Sequence, residues 1–252
     1  MFILLYNKYM WTYILIGVGV GVGLLLCFAL AVASFSFSNF KEKQKELQTK
    51  SISYGITVSE FIKEVNRQIF GGQLHRTFCE QDKDHYSSNV ISLSVSTYNS
   101  NSIVSFATTA HELGHAKQDY STKKLQTLWK LKNSSRVCGW FFMPLIVVGF
   151  VLSLLTIFQI IQQQFVFYIG VGILGLAVVL LLFSIFLKIK EISIEKEAST
   201  IGLQFLKSFM TEKELKSCKD FLDSARFTYW AAFFRGLLGW TFLTNKESMF
   251  KW

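Results

Sequence analysis

Residues 111–115 read His111-Glu112-Leu113-Gly114-His115. On an α-helix, positions four apart lie on one face, so the two histidines can direct an imidazole nitrogen at the same point. Two such nitrogens make half of a tetrahedral zinc site, and zinc activates a water molecule toward attack. His-Glu-x-x-His on a helix is the known signature of this arrangement. The motif therefore predicts one Zn²⁺ ion held by His111 and His115, with Glu112 as general base.

The third ligand of this metal must come from outside the motif. No histidine follows His115, which excludes the extended motif with a third histidine. In thermolysin-type sites a glutamate on a second helix completes the set. The acidic candidates on a later predicted helix are Glu191, Glu195 and Glu197. The residues alone leave the choice among these three open.

Two long stretches without charge predict segments that cross a membrane. No charged residue lies between Lys8 and Lys41, or between Arg136 and Lys188. About 20 apolar residues cross a bilayer, so the first stretch predicts one retained span and the second a hairpin of two. The predicted spans cover about residues 11–35, 137–158 and 165–187. Because the hairpin crosses twice, the later glutamates return to the side of the membrane that holds the motif.

Composition fits a membrane protein. Of the 252 residues, 51% are hydrophobic and 17% are charged, whereas soluble domains have roughly 25% charged residues. The net charge is +9, and lysines and arginines flank the spans in the positive-inside pattern, with no nucleic-acid motif. We expect a multi-pass protein of the cell membrane with its catalytic region in the cytoplasm. The four cysteines have neither disulfide nor metal-site spacing.

The region between the first span and the hairpin predicts a small α+β domain. Thr57 and Glu60 form a capping box that opens a helix. Residues 73–88 are polar and are predicted to be irregular. Apolar residues alternate with serines over residues 89–98, which predicts a half-buried strand whose edge could pair with a substrate. The helix with the zinc motif is predicted from about residue 103 to residue 118.

The chain after the hairpin also predicts helices. One covers about residues 191–210, and a second capping box at Thr211 and Glu214 opens another to about residue 227. The apolar run at residues 227–243 is short and contains Arg235. It is a fourth span, a re-entrant segment or an interfacial helix, and its residues do not decide among these.

Four segments, taken in order, extend the pattern beyond the motif. They are Asp84-His85-Tyr86, the run from Ala110 to Asp119, Ile194-Glu195-Lys196-Glu197-Ala198-Ser199, and Thr228-Tyr229-Trp230-Ala231-Ala232. In this order they resemble the YugP-type neutral zinc metallopeptidases, a family of bacterial membrane zinc peptidases of the zincin kind. The resemblance covers most of the chain, including the first span and the hairpin.

The resemblance implies that Glu195 is the third zinc ligand. The chain departs from the family pattern at Lys196 and Glu197, where the family often has an aromatic residue and an aspartate. Glu197 is a candidate for orienting a zinc-binding histidine. His85 and Tyr86 are candidates for stabilising the oxyanion opposite the metal.

The expected fold is a mainly α integral membrane protein with three or four transmembrane helices and a small α+β zincin-like metalloprotease domain that contains a short sheet. We expect five parts. They are the anchor region 1–35, the cytoplasmic catalytic region 36–136, the transmembrane hairpin 137–187, the cytoplasmic helices 188–226 with the third ligand, and the apolar segment 227–252.

The expected function is that of a membrane-anchored zinc metalloendopeptidase. Its partners are the lipid bilayer and a protein or peptide substrate, with no nucleic acid; self-association is left open. One alternative is a membrane scaffold or assembly factor that retains the zincin fold without catalysis, but the intact Glu112 argues against it. Another is an intramembrane site-2-type protease, but polar residues such as Asn99, Lys117 and Asp119 flank the motif.

Overall fold

The computed structural model describes residues 2–78 and 84–237, which are mostly helical with one short sheet, as expected. The elements in chain order are α1 (Phe2–Gln48), α2 (Val58–Ile69), β1 (His75–Phe78), β2 (His85–Ser87), β3 (Val90–Leu93), α3 (Val95–Tyr98), α4 (Ile103–Thr122), α5 (Lys124–Ile157), α6 (Gln164–Leu206) and α7 (Glu212–Leu237).

These elements form two compact units. Of the described residues, the first takes in 2–34, Lys132–Lys188 and 230–237. The second, which holds the zinc motif and the sheet, takes in Phe35–Leu131 and Ile189–Tyr229.

In the first unit, α5 and α6 pack as an antiparallel hairpin through small residues. The Ser184 hydroxyl donates a hydrogen bond to the Ser135 carbonyl oxygen (3.3 Å) near one end. Near the other end, a Cβ added to Gly149 would lie only 2.8 Å from the carbonyl oxygen of Gly170. Small residues let helix backbones approach in this way. Gly172, by contrast, faces open space.

By length and composition, α5 and α6 are each apolar enough to cross a membrane. The chain leaves helical conformation between Ile157 and Gln164, where the polar turn is predicted. The first predicted span lies within α1. The helix predicted to end near residue 227 continues to Leu237 as α7, so the last apolar run begins without a break; its remainder, from residue 238, lies outside the described residues.

In the second unit, β3 is the middle strand of the sheet. It pairs in parallel with β1 and antiparallel with β2. The two-residue turn between β2 and β3 has positive φ at Ser88 (46°) and Asn89 (66°), which is the backbone twist that tight hairpins favour. Ile91 and Leu93 are fully buried, as predicted.

The structure corrects three predictions about this sheet. The strand predicted over residues 89–98 ends at Leu93, because Ser94 caps the short helix α3 and the Asp84 carboxylate accepts hydrogen bonds from Ser94 N (2.7 Å) and the Thr97 hydroxyl (2.7 Å). Val95 is consequently 59% exposed. The stretch 73–88 was predicted to be irregular, but its described part, 73–78 and 84–88, contains β1 and β2. Since both sides of β3 are paired, pairing of a substrate with that strand is also wrong.

The helices of the second unit begin where the predicted caps lie. Thr57 and Glu60 form a reciprocal capping box at the start of α2, and Thr211 and Glu214 form a second at α7. Burial would raise the pKa of Glu214, but four hydrogen bonds from Thr211 and Ser53 outweigh it and lower the pKa to about 2. Glu214 thereby ties α7 to the loop before α2.

The helix α4 is held in the core of this unit. Ser102 caps its first turn, and one apolar face of the helix is buried. This face comprises Val104, Ala107, Ala110 and Leu113. The helix extends to Thr122, four residues beyond the predicted end, so the zinc motif lies in the middle of a fixed helix.

Candidate metal centre

Two glycines let α4 and α6 cross at van der Waals distance. A Cβ on Gly114 would collide with the carbonyl oxygen of Ala198, and a Cβ on Gly202 would collide with that of Ala110. The small residue at position 114 therefore admits the backbone of α6. This crossing places Glu195 beside the zinc motif.

His111, His115 and Glu195 converge at this crossing. Glu195 Oε2 lies 3.2 Å from His111 Nε2 and 3.2 Å from His115 Nε2. The three side chains are only 14%, 8% and 2% exposed, respectively. Among the described residues they are the group of histidine, cysteine and acidic side chains that could hold a metal ion, with one ligand atom from each lying within 4.8 Å of the others.

Hydrogen bonds to the far side of each imidazole set its tautomer. Ser199 Oγ donates its hydrogen to the Glu195 carbonyl oxygen (3.1 Å), so at 3.0 Å from His111 Nδ1 it acts as an acceptor. Nδ1 must then carry the proton, and Nε2 presents a lone pair. This is the tautomer that a metal ligand needs.

Gln118 sets the tautomer of His115 in the same way. Its amide nitrogen donates to the Ile194 carbonyl oxygen (3.0 Å) and to Glu197 Oε2 (3.1 Å). Its amide oxygen therefore accepts from His115 Nδ1 (3.1 Å), which leaves Nε2 unprotonated. Glu197 is itself paired with Lys124 Nζ (2.7 and 2.8 Å). Glu197 thus contacts Gln118, which in turn contacts His115, so these two bonds link Glu197 to the histidine indirectly.

The carboxylate of Glu112 lies against the edge of the sheet. Its Oε2 accepts a hydrogen bond from the backbone N–H of Tyr86 (2.8 Å) in β2. The Tyr86 hydroxyl points elsewhere: it donates to Asp119 Oδ2 (3.1 Å) and accepts from Asn89 N (2.9 Å). Asp119 is two turns along α4 from Glu112. The main chain of Tyr86, rather than its phenol, therefore reaches the candidate base.

A family model described as "putative neutral zinc metallopeptidase" matches residues 12–243 of the chain. The chain belongs to this family. The resemblance drawn from the four ordered segments is thereby confirmed. A comparison with curated proteins and with solved structures finds no match.

The donor set of this family member fits the metal that the family description implies. Two imidazole Nε2 atoms and a carboxylate oxygen face one another, and such a set requires a cation among them, either a metal ion or a proton on an imidazole. Nitrogen and oxygen ligands of this kind, three in number, are typical of catalytic zinc sites, which keep a fourth position open. Of the three glutamates that the residues left open, Glu195 is the one in the cluster.

The remaining predicted site residues lie outside the cluster. His85 is on β2 with an exposed side chain, on the opposite face of the strand from the Tyr86 ring. Glu191 is buried on α6, one turn before Glu195. Their roles, and that of Tyr86 toward an oxyanion, stay predictions.

Sequence reasoning assigned no role to three residues that contact the cluster, although all three lie in the segments that carry the family resemblance: Gln118, Ser199 and Tyr229. Helical spacing could have found the first two, since Gln118 is three residues after His115 and Ser199 is four after Glu195. Tyr229 had no such signal. It comes from α7, and its hydroxyl donates to Glu195 Oε2 (3.1 Å).

Proposed function

We propose that this chain is a membrane-anchored zinc endopeptidase that hydrolyses peptide bonds in proteins or peptides. Its zinc ligands are His111, His115 and Glu195, and its general base is Glu112. The observation that carries the proposal is the convergence of two imidazole Nε2 atoms, each 3.2 Å from the same carboxylate oxygen, beside Glu112.

Each residue has a defined task in this reaction. Zinc, when bound, supplies a Lewis acid that acidifies water and polarises a carbonyl group. Glu112 takes the proton from the attacking water and delivers it to the leaving amine as the peptide bond breaks. The Tyr86 N–H fixes the orientation of the Glu112 carboxylate. Ser199 and Gln118 keep both imidazoles in the tautomer that binds metal.

We place the substrate along β2. This strand forms one edge of the sheet, and its backbone lies against Glu112 through the Tyr86 N–H. An extended peptide that adds to an open sheet edge gains main-chain hydrogen bonds without requiring a particular side chain. A peptide on β2 would present its backbone to the base and to the metal, which β3 in the middle of the sheet does not allow.

The surface of α5 and α6 supports anchoring in a bilayer. Large apolar side chains on both helices face outward, and Val179 and Leu182 are each 61% exposed. A soluble protein rarely exposes a contiguous apolar patch of this kind. The lysines and arginines at the ends of these helices favour a cell-membrane location with the catalytic region in the cytoplasm.

The two alternative functions are less well supported. A non-catalytic scaffold has no need of a carboxylate next to the metal ligands, yet Glu112 is held there by the Tyr86 N–H. An intramembrane protease carries its motif on a membrane-spanning helix. Here the motif lies on α4 and not on α5 or α6. The helix α4 packs against the sheet and α2.

Removal and return of zinc tests the proposal. Protein purified in detergent is expected to cleave an unfolded protein substrate, and a chelator should reduce the rate to background because the Lewis acid is lost. Adding Zn²⁺ in slight excess should restore the rate, whereas Mg²⁺ should not, because nitrogen ligands disfavour it. Cleavage that persists after zinc has been stripped to below one ion per ten chains would rule out the mechanism.

A further inference from the structure

Tyr229 contacts the metal cluster from a third helix. The ligands come from α4 and α6, whereas Tyr229 comes from α7, and its hydroxyl lies 3.1 Å from Glu195 Oε2. That oxygen is the same atom that lies 3.2 Å from each imidazole Nε2. The phenol therefore contacts the ligand atom itself and not another part of the glutamate.

The direction of this hydrogen bond follows from the charges around it. A tyrosine hydroxyl has one hydrogen, and a carboxylate has none to give, so Tyr229 donates and Glu195 accepts. A phenol is protonated at neutral pH, so Tyr229 is the donor in this contact.

A donor at this place restricts a flexible side chain. Glutamate has three rotatable bonds and two equivalent oxygens, so nothing in its chemistry determines which oxygen faces the histidines. A charge-assisted bond from a residue on a separate helix fixes both the rotation of the carboxylate and the choice of Oε2. Such outer contacts are what orient metal ligands in other proteins.

We propose that Tyr229 is a positioning residue for the metal ligand Glu195. It holds Oε2 toward His111 and His115, so that the three-ligand set is formed before the ion arrives. The role rests on the proposed function, because it requires that Glu195 binds zinc.

The test is the metal affinity of Tyr229→Phe in the full-length protein. Removing only the hydroxyl should weaken Zn²⁺ binding about 10- to 100-fold in competition with a chromophoric chelator. The visible spectrum of the Co²⁺-substituted variant should also shift, since the carboxylate ligand is then less fixed. Thr228→Val is the matched control: Thr228 is a buried neighbour on α7 whose hydroxyl bonds to Ala225 O of its own helix (2.6 Å), so both readouts should stay as in the wild type.

The outcomes separate this inference from the proposed function. Wild-type zinc affinity and an unchanged Co²⁺ spectrum in Tyr229→Phe would overturn the positioning role, provided that Glu195→Ala loses zinc. If Glu195→Ala also keeps its zinc, the proposed function itself fails. A metal-free Tyr229→Phe that melts well below metal-free wild type would also overturn the inference, because the hydroxyl would then serve the fold.

Discussion

Glu112→Gln is expected to keep its zinc and lose its peptidase activity. The glutamine amide has nearly the same shape as the carboxylate. Glu112 is not one of the three clustered ligands, so the metal content should not change. It cannot take a proton from water, and loss of a general base typically lowers the rate by about 10²–10⁴-fold. Because the base acts in the transition state, the fall should appear in kcat more than in KM.

The measurement is kcat/KM on a quenched fluorescent peptide, with zinc content determined on the same samples. Glu64→Gln is the control, since it makes the same change at a glutamate of α2 that pairs with Arg67 on the surface. That variant should match wild type in both readouts. If Glu112→Gln retained more than a tenth of the wild-type rate, Glu112 would not be the base.

Gly114→Ala should disrupt both the fold around the site and metal binding. In an isolated helix the change would stabilise by up to about 1 kcal/mol, because alanine has the higher helix propensity. Here the added Cβ collides with the backbone carbonyl of Ala198, which cannot rotate away as a side chain could. Overpacking costs about 1–3 kcal/mol, so we expect net destabilisation.

The loss of zinc in this variant should exceed the loss of stability. Forcing α6 away from α4 carries Glu195 away from the histidines, and metal sites tolerate only about 0.5 Å of such displacement. Gly202→Ala should lose stability and zinc in the same way, because the added Cβ would collide with the Ala110 carbonyl oxygen in the same helix crossing. Gly172→Ala is the control, because an added Cβ there would face open space. Thermal melting and zinc analysis of the three variants measure both effects; full zinc content in Gly114→Ala would contradict the close crossing.

Local signals made much of this architecture predictable. The capping boxes at Thr57 and Thr211 need only residues three positions apart, and the histidine pair needs only one helix. The alternation that predicted a strand through Val95 failed because Asp84, ten residues before Ser94, ends the strand by bonding to its N–H. Contacts of that kind have no local pattern in the sequence.

The site was likewise predictable where local spacing or the family resemblance identified its residues. Spacing limited the third position to three glutamates, and the family resemblance selected Glu195, which the structure places in the cluster. The contact of Tyr229 with Glu195 and that of the Tyr86 N–H with Glu112 were not predictable, because they come from α7 and from a three-residue strand that the polar composition of residues 73–88 did not indicate. Both depend on tertiary packing and not on periodicity.

Zinc stoichiometry is the most direct test of the claim that His111, His115 and Glu195 form one metal site. After dialysis against a weak chelator, wild-type protein should hold one zinc ion per chain, while His111→Ala and Glu195→Ala should hold almost none. Glu191→Ala, which removes a buried glutamate from the same helix one turn earlier, should hold one. A Glu195→Ala variant with full zinc content, or a Glu191→Ala variant without zinc, would contradict the assignment.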